Sequence, residues 1–241
     1  MTENYSIEAV FCDIDKNIEE IREKTARAAQ KAGRSCEEIR LMAVTKTVKP
    51  IFINHALSKG LDLIGENKVQ ELFSKLESLE PPTVEKHLIG HLQTNKVAKV
   101  LPAVSMIESL DSLRLANEIS KCAKKLNIEA RVLLEVNVAA EESKTGFLPE
   151  ELDEAVSQIS ELDNIKVEGL MSVPPFCETE SEIRRYFSYL YKLFIDNRGK
   201  KSDNITMNIL SMGMSSDYEF AIQEGANLVR IGSALFGARR Y

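Results

Sequence analysis

Between residues 5 and 32, apolar side chains recur at steps of three and four: Ile7, Phe11, Ile14, Ile18, Ile21, Thr25, Ala28 and Ala32. That spacing lines them up on one face and predicts a long amphipathic helix. Gly33 is placed to end it. After it, short apolar runs alternate with helical segments. The strand-like runs are 39–46, 61–66, 86–90, 105–110, 129–138, 166–173, 208–213 and 228–233. Helical patterns lie near 50–59, 67–79, 93–101, 112–126, 149–162, 178–198 and 216–224. Asp111 or Ser112 can cap the helix at 112–126, and Ser216 with Glu219 has the spacing of a capping box.

Eight strands alternating with helices predict an α/β fold with a parallel sheet, because strands covered on both faces read as apolar runs. The count favours a closed (β/α)₈ barrel of the TIM type, with an open doubly wound sheet as the alternative. The N-terminal helix is extra to a minimal barrel. It suits packing onto its own domain better than a coiled coil, since alanines thin its apolar seam. No linker, repeat or composition break appears, so residues 1–241 read as a single domain, with the 5–32 helix packed on the barrel.

Composition narrows the partners. The 241 residues carry a formal net charge of −6, and though Lys-Lys occurs at 124–125 and 200–201, no basic run is long enough to suggest a patch. Nucleic-acid binding needs clustered cations, so it is not expected. Cys12, Cys36, Cys122 and Cys177 are far apart and form no C-x-x-C pair, and no secretory signal precedes them. They read as reduced thiols of a cytoplasmic protein. No apolar stretch reaches membrane-spanning length. With the cysteines scattered and only His55, His87 and His91 present, no metal site is expected. His55 and His87 read as ordinary packing or surface histidines, and "EESKTG" (141–146) as either a solvated loop or a gate over a pocket.

In a β/α barrel the chemistry sits at the C-terminal strand ends. The first run ends "AVTK", at Lys46. A lysine in a pocket can lose its proton and attack a carbonyl to form a Schiff base. By position alone, a solvated strand end is the simpler reading. The last two strands leave through "SMGMSS" (211–216) and "RIGSALFG" (230–237). Glycine there lets backbone amides approach an anion, and barrels often hold phosphate with these two loops. Arg230 lies inside an apolar run, where a permanent cation needs either an acidic partner, such as Glu135 or Glu168, or a ligand. A lysine for an imine, a phosphate cup and an inward arginine together suggest pyridoxal 5′-phosphate (PLP).

The stretches "LMAVTKTVKP", "IGENKVQE", "HLIGHLQTNK", "SLDSLRLA", "VLLEVNVAAEESKTGF", "VEGLMSVPP" and "LSMGMSSDYEFAIQEGANLVRIGSALFGAR" run in order along nearly the whole chain. With them the sequence resembles the YggS/PROSC family of PLP homeostasis proteins. The resemblance implies a barrel like the N-terminal domain of alanine racemase, a fold-type III PLP protein. It implies that Lys46 carries the PLP aldimine and that Asn67 lines the pocket. Ser211, Gly232 and Ser233 would belong to the phosphate-holding motifs, with Met212 beside them, and Arg230 would face the pyridine nitrogen. Thr45 and Lys68 depart mildly from the family pattern. Racemases take their second base from another domain, and no such domain follows this barrel, so a monomer that holds PLP without turnover is expected. PLP-dependent apoenzymes are the partners this role implies. The alternatives are a PLP-dependent amino-acid racemase, its second base supplied by Tyr218 or His91, and a Schiff-base aldolase-type barrel.

Overall fold

The computed structural model describes residues 6–199 and 202–237. The basic pair at 200–201, Tyr5 and the end of the last matching stretch lie outside them. Among the described residues eight strands are present: β1 (Arg40–Val44), β2 (Leu63–Glu66), β3 (Glu85–Leu88), β4 (Met106–Leu110), β5 (Ala130–Glu135), β6 (Ile165–Met171), β7 (Ile205–Met214) and β8 (Leu228–Ile231). Each pairs in parallel with the next, and β1 also pairs with β8. The sheet is therefore a closed barrel, and the open-sheet alternative falls.

The helices are α1 (Ile7–Lys31), α2 (Pro50–Ser58), α3 (Val69–Lys75), α4 (Val97–Val100), α5 (Leu113–Leu126), α6 (Leu152–Ser160), α7 (Glu180–Arg198), α8 (Tyr218–Gln223) and α9 (Ser233–Phe236). Ser112 caps α5 by accepting the Leu115 amide. The capping box expected at Ser216 and Glu219 does not form. Asp217 occupies the cap position, and its carboxylate accepts the Met214 amide and the Ser216 hydroxyl.

Side chains alternate through the barrel wall, as a parallel sheet covered on both faces requires. Ala43, Ile64, Leu88, Ile107, Leu134, Leu170, Leu210 and Val229 join the large apolar layer under the helices. Met42, Val44, Leu63 and Leu228 form a separate interior cluster, and Met106, Leu133 and Met171 another, with Ile209 against both. The register shifts at β6 on both sides. A Cβ on Gly169 would lie 1.7 Å from the Ile209 carbonyl oxygen, so β7 can close against β6 only where that side chain is missing.

The interior also holds a string of buried polar groups. His87 lies between Glu108 (Nδ1 to Oε1, 2.6 Å) and Glu85 (Nε2 to Oε1, 2.9 Å). The second oxygen of Glu108 accepts the Ser211 hydroxyl at 2.6 Å. Ser211 in turn accepts from the Arg230 guanidinium at 2.7 Å, and that guanidinium also donates to the Ser172 carbonyl at 2.8 Å. His87, Glu108, Ser211 and Arg230 are all buried. His87 is thus no ordinary surface histidine. The acid linked to Arg230 is Glu108, through Ser211; of the two expected partners, Glu135 acts on it only through space, and neither is hydrogen-bonded to it. Glu168 is taken by Arg131 at 2.7 and 3.0 Å, and Glu135 accepts Thr145.

The predicted N-terminal helix face is buried at Ile14, Ile18, Ile21, Thr25 and Ala28, while Ile7 is exposed. Phe11 stacks on His55, and Asp15 pairs with both His55 and Lys59 at 2.7 Å, which ties α1 to α2. Asn17 donates to the Leu235 carbonyl at 3.0 Å, which ties it to α9. The helix packs against α2, α8 and α9 beside the mouth.

Two expectations follow. Gly169→Ala forces a backbone displacement at the β6–β7 seam and should lower the unfolding free energy by about 3 kcal/mol, the upper end for overpacking, read in urea titrations. The second concerns His87. Burial lowers its pKa, but the hydrogen bonds it donates to Glu108 and Glu85 outweigh this and hold it above its ordinary 6.5. The hydrogen bond from His87 is the largest cause holding Glu85 down at about 2, while Glu108 is lowered by the same histidine against its own burial. Histidine's contribution is therefore complete below pH 6.5 and lost as pH rises through the folded value; that of the carboxylates is present above pH 4.5 and lost on acidification. The stability difference between wild type and His87→Gln should peak between pH 4.5 and 6.5 and shrink on both sides. A difference flat in pH would contradict the charged assignment.

Candidate functional site

A cavity of about 1030 Å³ opens at the C-terminal mouth of the barrel, near the β1–β8 seam. Its walls come from the ends of β1, β2, β3, β6, β7 and β8, and from α1, α2 and α9. On β1, alternation places Met42 and Val44 inside the barrel, so Lys46, two positions further, projects into the cavity. The lysine is half-buried, and its ammonium has no hydrogen-bond or ion-pair partner among the described residues. Across the seam, Met42 pairs in register with Arg230, so Arg230 stands on the neighbouring strand two inward-facing positions below the lysine. Arg230 is 3% exposed, and what surface it keeps faces the cavity. Burial pulls its pKa below the ordinary value, while Glu108 opposes that pull. With two contacts fixed by Ser211 and Ser172, the plane of the guanidinium is set before any ligand arrives.

Asn67 also lines the cavity, just after β2. Gly90 packs on it so closely that a Cβ there would lie 2.1 Å from the Asn67 carbonyl oxygen. Gly232 and Ser233 line the opposite wall together with Ser215 and Ser216. The Ser215 hydroxyl accepts the amides of Gly232 and Ala234, both at 3.1 Å, and so pins the two loops together.

Of the expected site residues, Lys46, Asn67, Arg230, Gly232 and Ser233 meet in this cavity. Ser211 and Met212 do not reach its wall. Strand β7 runs on to Met214, which leaves Ser211 below the rim, turned into the barrel and used by Glu108 and Arg230. Met212 has the opposite orientation and packs in the outer apolar layer. The residues of that loop that do reach the cavity are Met214, Ser215 and Ser216.

Several groups escaped the sequence reading. Asp13 and Asn17 line the cavity from α1, whose periodicity located its buried face but not what that face covers. Glu108 had a legible signal: it is an acid in the apolar run "SMIESL", the counterpart of Arg230 in "LVRIGS". The 141–146 loop folds back on its own strand. Asn137 exchanges hydrogen bonds with Glu141, Thr145 donates to Glu135, and Lys144 reaches the Val173 carbonyl at 3.3 Å. Tyr218 lines a separate cavity of about 320 Å³ between α1 and α8, where burial pushes its hydroxyl up to about 12. His91 is exposed and bonded to Asp111 at 2.7 Å.

Residues 16–240 match the family model described as "Alanine racemase, N-terminal domain". The pyridoxal phosphate homeostasis protein of Aquifex aeolicus (strain VF5) is 44% identical over 226 residues, covering 94% of this chain and 98% of that protein. Among solved structures, an unknown protein from Bifidobacterium adolescentis superposes with a TM-score of 0.90 at 37% identity, over 96% of this chain and 97% of the other. PipY of Synechococcus elongatus PCC7942, solved with PLP bound, gives a TM-score of 0.76 at 31% identity, over 83% and 93% of the two chains. Model, sequence and structure agree along nearly the full length: the chain belongs to the family of pyridoxal phosphate homeostasis proteins, built on the alanine racemase N-terminal domain.

Proposed function

We propose that this protein binds PLP and serves its homeostasis, holding the cofactor as a Schiff base on Lys46. The observation that carries this reading is a lysine amine, unpartnered among the described residues, placed near a pre-set guanidinium and a Gly/Ser wall in one cavity. The donor set fits the cofactor. An amine suits an aldehyde, the hydroxyls of Ser215, Ser216 and Ser233 suit a phosphate, and a planar cation suits a ring nitrogen that must accept a hydrogen bond. The cavity, about 1030 Å³, exceeds what one such molecule needs. The PLP seen in PipY and the name shared by the curated relatives support the same reading.

When bound, PLP supplies an electron-accepting ring. Arg230 cannot give that ring nitrogen a proton as an acid would, so this chain leaves the ring a weak acceptor. Racemisation also needs an acid or base on each face of the substrate. Neither Tyr218 nor His91 stands in the cavity wall among the described residues, which supports holding without turnover over racemase chemistry. The reading extends to a monomer, since one chain supplies every wall described, and to PLP-dependent apoenzymes as recipients. A Schiff-base aldolase would use the same lysine on a sugar phosphate and would purify colourless.

The purified protein is expected to be yellow, with absorbance that borohydride shifts. Lys46→Ala should abolish both colour and bound cofactor mass, and their survival would remove Lys46 from the site. Incubation with single L-amino acids in deuterated water should give no α-deuterium uptake at enzyme-like rates; rapid uptake with loss of stereochemistry would establish a racemase instead.

A further inference from the structure

Behind Lys46, on the outer side of β1 and β2, lies a cluster that the cavity does not touch. Lys75, at the end of α3, is 6% exposed. A lysine this buried is rare unless all three of its protons are met. Here they are: Nζ donates to Glu66 at 2.7 Å, to Glu71 at 2.9 Å and to the Thr45 backbone carbonyl at 2.7 Å. Glu66 also accepts the Thr45 hydroxyl at 2.6 Å, while its second oxygen is buried with no partner among the described residues. Burial drives the Glu66 pKa upward. Such a cluster is poor value for stability alone, since apolar side chains of similar volume commonly do as well.

What the cluster does hold is the main chain on both sides of Lys46. The Thr45 carbonyl, in the peptide bond entering Lys46, accepts from Lys75. The Thr47 amide, in the peptide bond leaving it, donates to Glu71, the i−4 partner of Lys75 on the same helix. Thr47 sits at φ +65°, a left-handed conformation uncommon for a threonine, and its hydroxyl donates to the Lys46 carbonyl at 2.6 Å. The chain thus turns sharply straight after the lysine, and Glu71 and Lys75 secure that turn.

We propose that Lys75, acting with Glu66 and Glu71, is a positioning residue that fixes the backbone of Lys46 so that its amine meets an aldehyde held in the cavity. The inference rests on the reading of Lys46 as the cofactor lysine. Schiff-base formation joins Nζ to the aldehyde carbon and releases the aldehyde oxygen as water. It depends on where the amine starts, because a misplacement of about 1 Å can lower an intramolecular reaction by about a hundredfold. Noncovalent capture of the phosphate and ring draws on other residues and does not depend on it.

The test separates those two quantities. Wild type, Lys46→Ala, Lys75→Met and Glu71→Ala are titrated with PLP and with 4′-deoxypyridoxine phosphate, which carries a methyl group in place of the aldehyde. In folded Lys75→Met, the wild-type preference for PLP over the deoxy analogue should fall by about tenfold or more, with affinity for the analogue unchanged. Glu71→Ala should show a smaller loss of the same kind. Glu71 is partly exposed, so this variant carries the test if Lys75→Met does not fold. Equal loss of both ligands, or a preference retained in both variants, would overturn the positioning role and leave Lys46 in place. Imine absorbance that persists in Lys46→Ala would instead overturn the cofactor-lysine reading, and the inference with it.

Discussion

Closure of the barrel between β1 and β8 is the constraint on which the site depends. Lys46 and Arg230 are far apart in sequence, and neither is remarkable as a single residue. The pairing of Met42 with Arg230 sets them on neighbouring strands two inward levels apart, both facing inward. An open sheet would send these strands to different places, and the Gly/Ser loops after β7 and β8 would then face a different neighbour. Closure in turn depends on close approaches elsewhere in the wall, such as the contact between Gly169 and the Ile209 carbonyl.

Around the seam the protein accepts two buried ionic clusters, which are seldom the most stable way to fill an interior. One runs inside the barrel, from Glu85 through His87, Glu108 and Ser211 to Arg230. The other lies outside the wall, from Thr45 through Glu66 to Lys75 and Glu71. They have a common pattern. Each ends on a group adjoining the cavity, the first on the guanidinium and the second on the main chain that carries Lys46. Both are satisfied within the fold almost completely, the exception being one oxygen of Glu66. Polar groups locked in this way keep their orientation, which a ligand-binding wall needs more than it needs added stability.

Much of this was legible in the sequence, for identifiable reasons. Strands buried on both faces make apolar runs, so all eight could be located and the barrel inferred. The barrel then turned strand ends into a short set of candidates that included Lys46, Asn67, Gly232 and Ser233. Positions that depend on strand length were harder. Ser211 and Met212 lie in the expected motif, but β7 continues to Met214, and the rim passes to Ser215 and Ser216. Partners were harder still. Nothing local says that Arg230 is served by Glu108 through a serine, or that Lys75 reaches back to the Thr45 carbonyl. These contacts link strands and helices far apart in the chain, and only the fold brings them together. The cavity-facing role of α1 was hidden for the same reason, since periodicity reports which face is buried and not what lies beneath it.

In the proposed function the cofactor sits on one lysine, Lys46. Several others lie within reach of a diffusing aldehyde, including Lys49 on the cavity wall and Lys144 in the loop that reaches Val173. Borohydride reduction of the PLP-loaded protein, followed by proteolysis and mass mapping of the pyridoxyl group, distinguishes them directly. The account predicts a single modified peptide with the label on Lys46; label on Lys49 or Lys144 with Lys46 unmodified would contradict it.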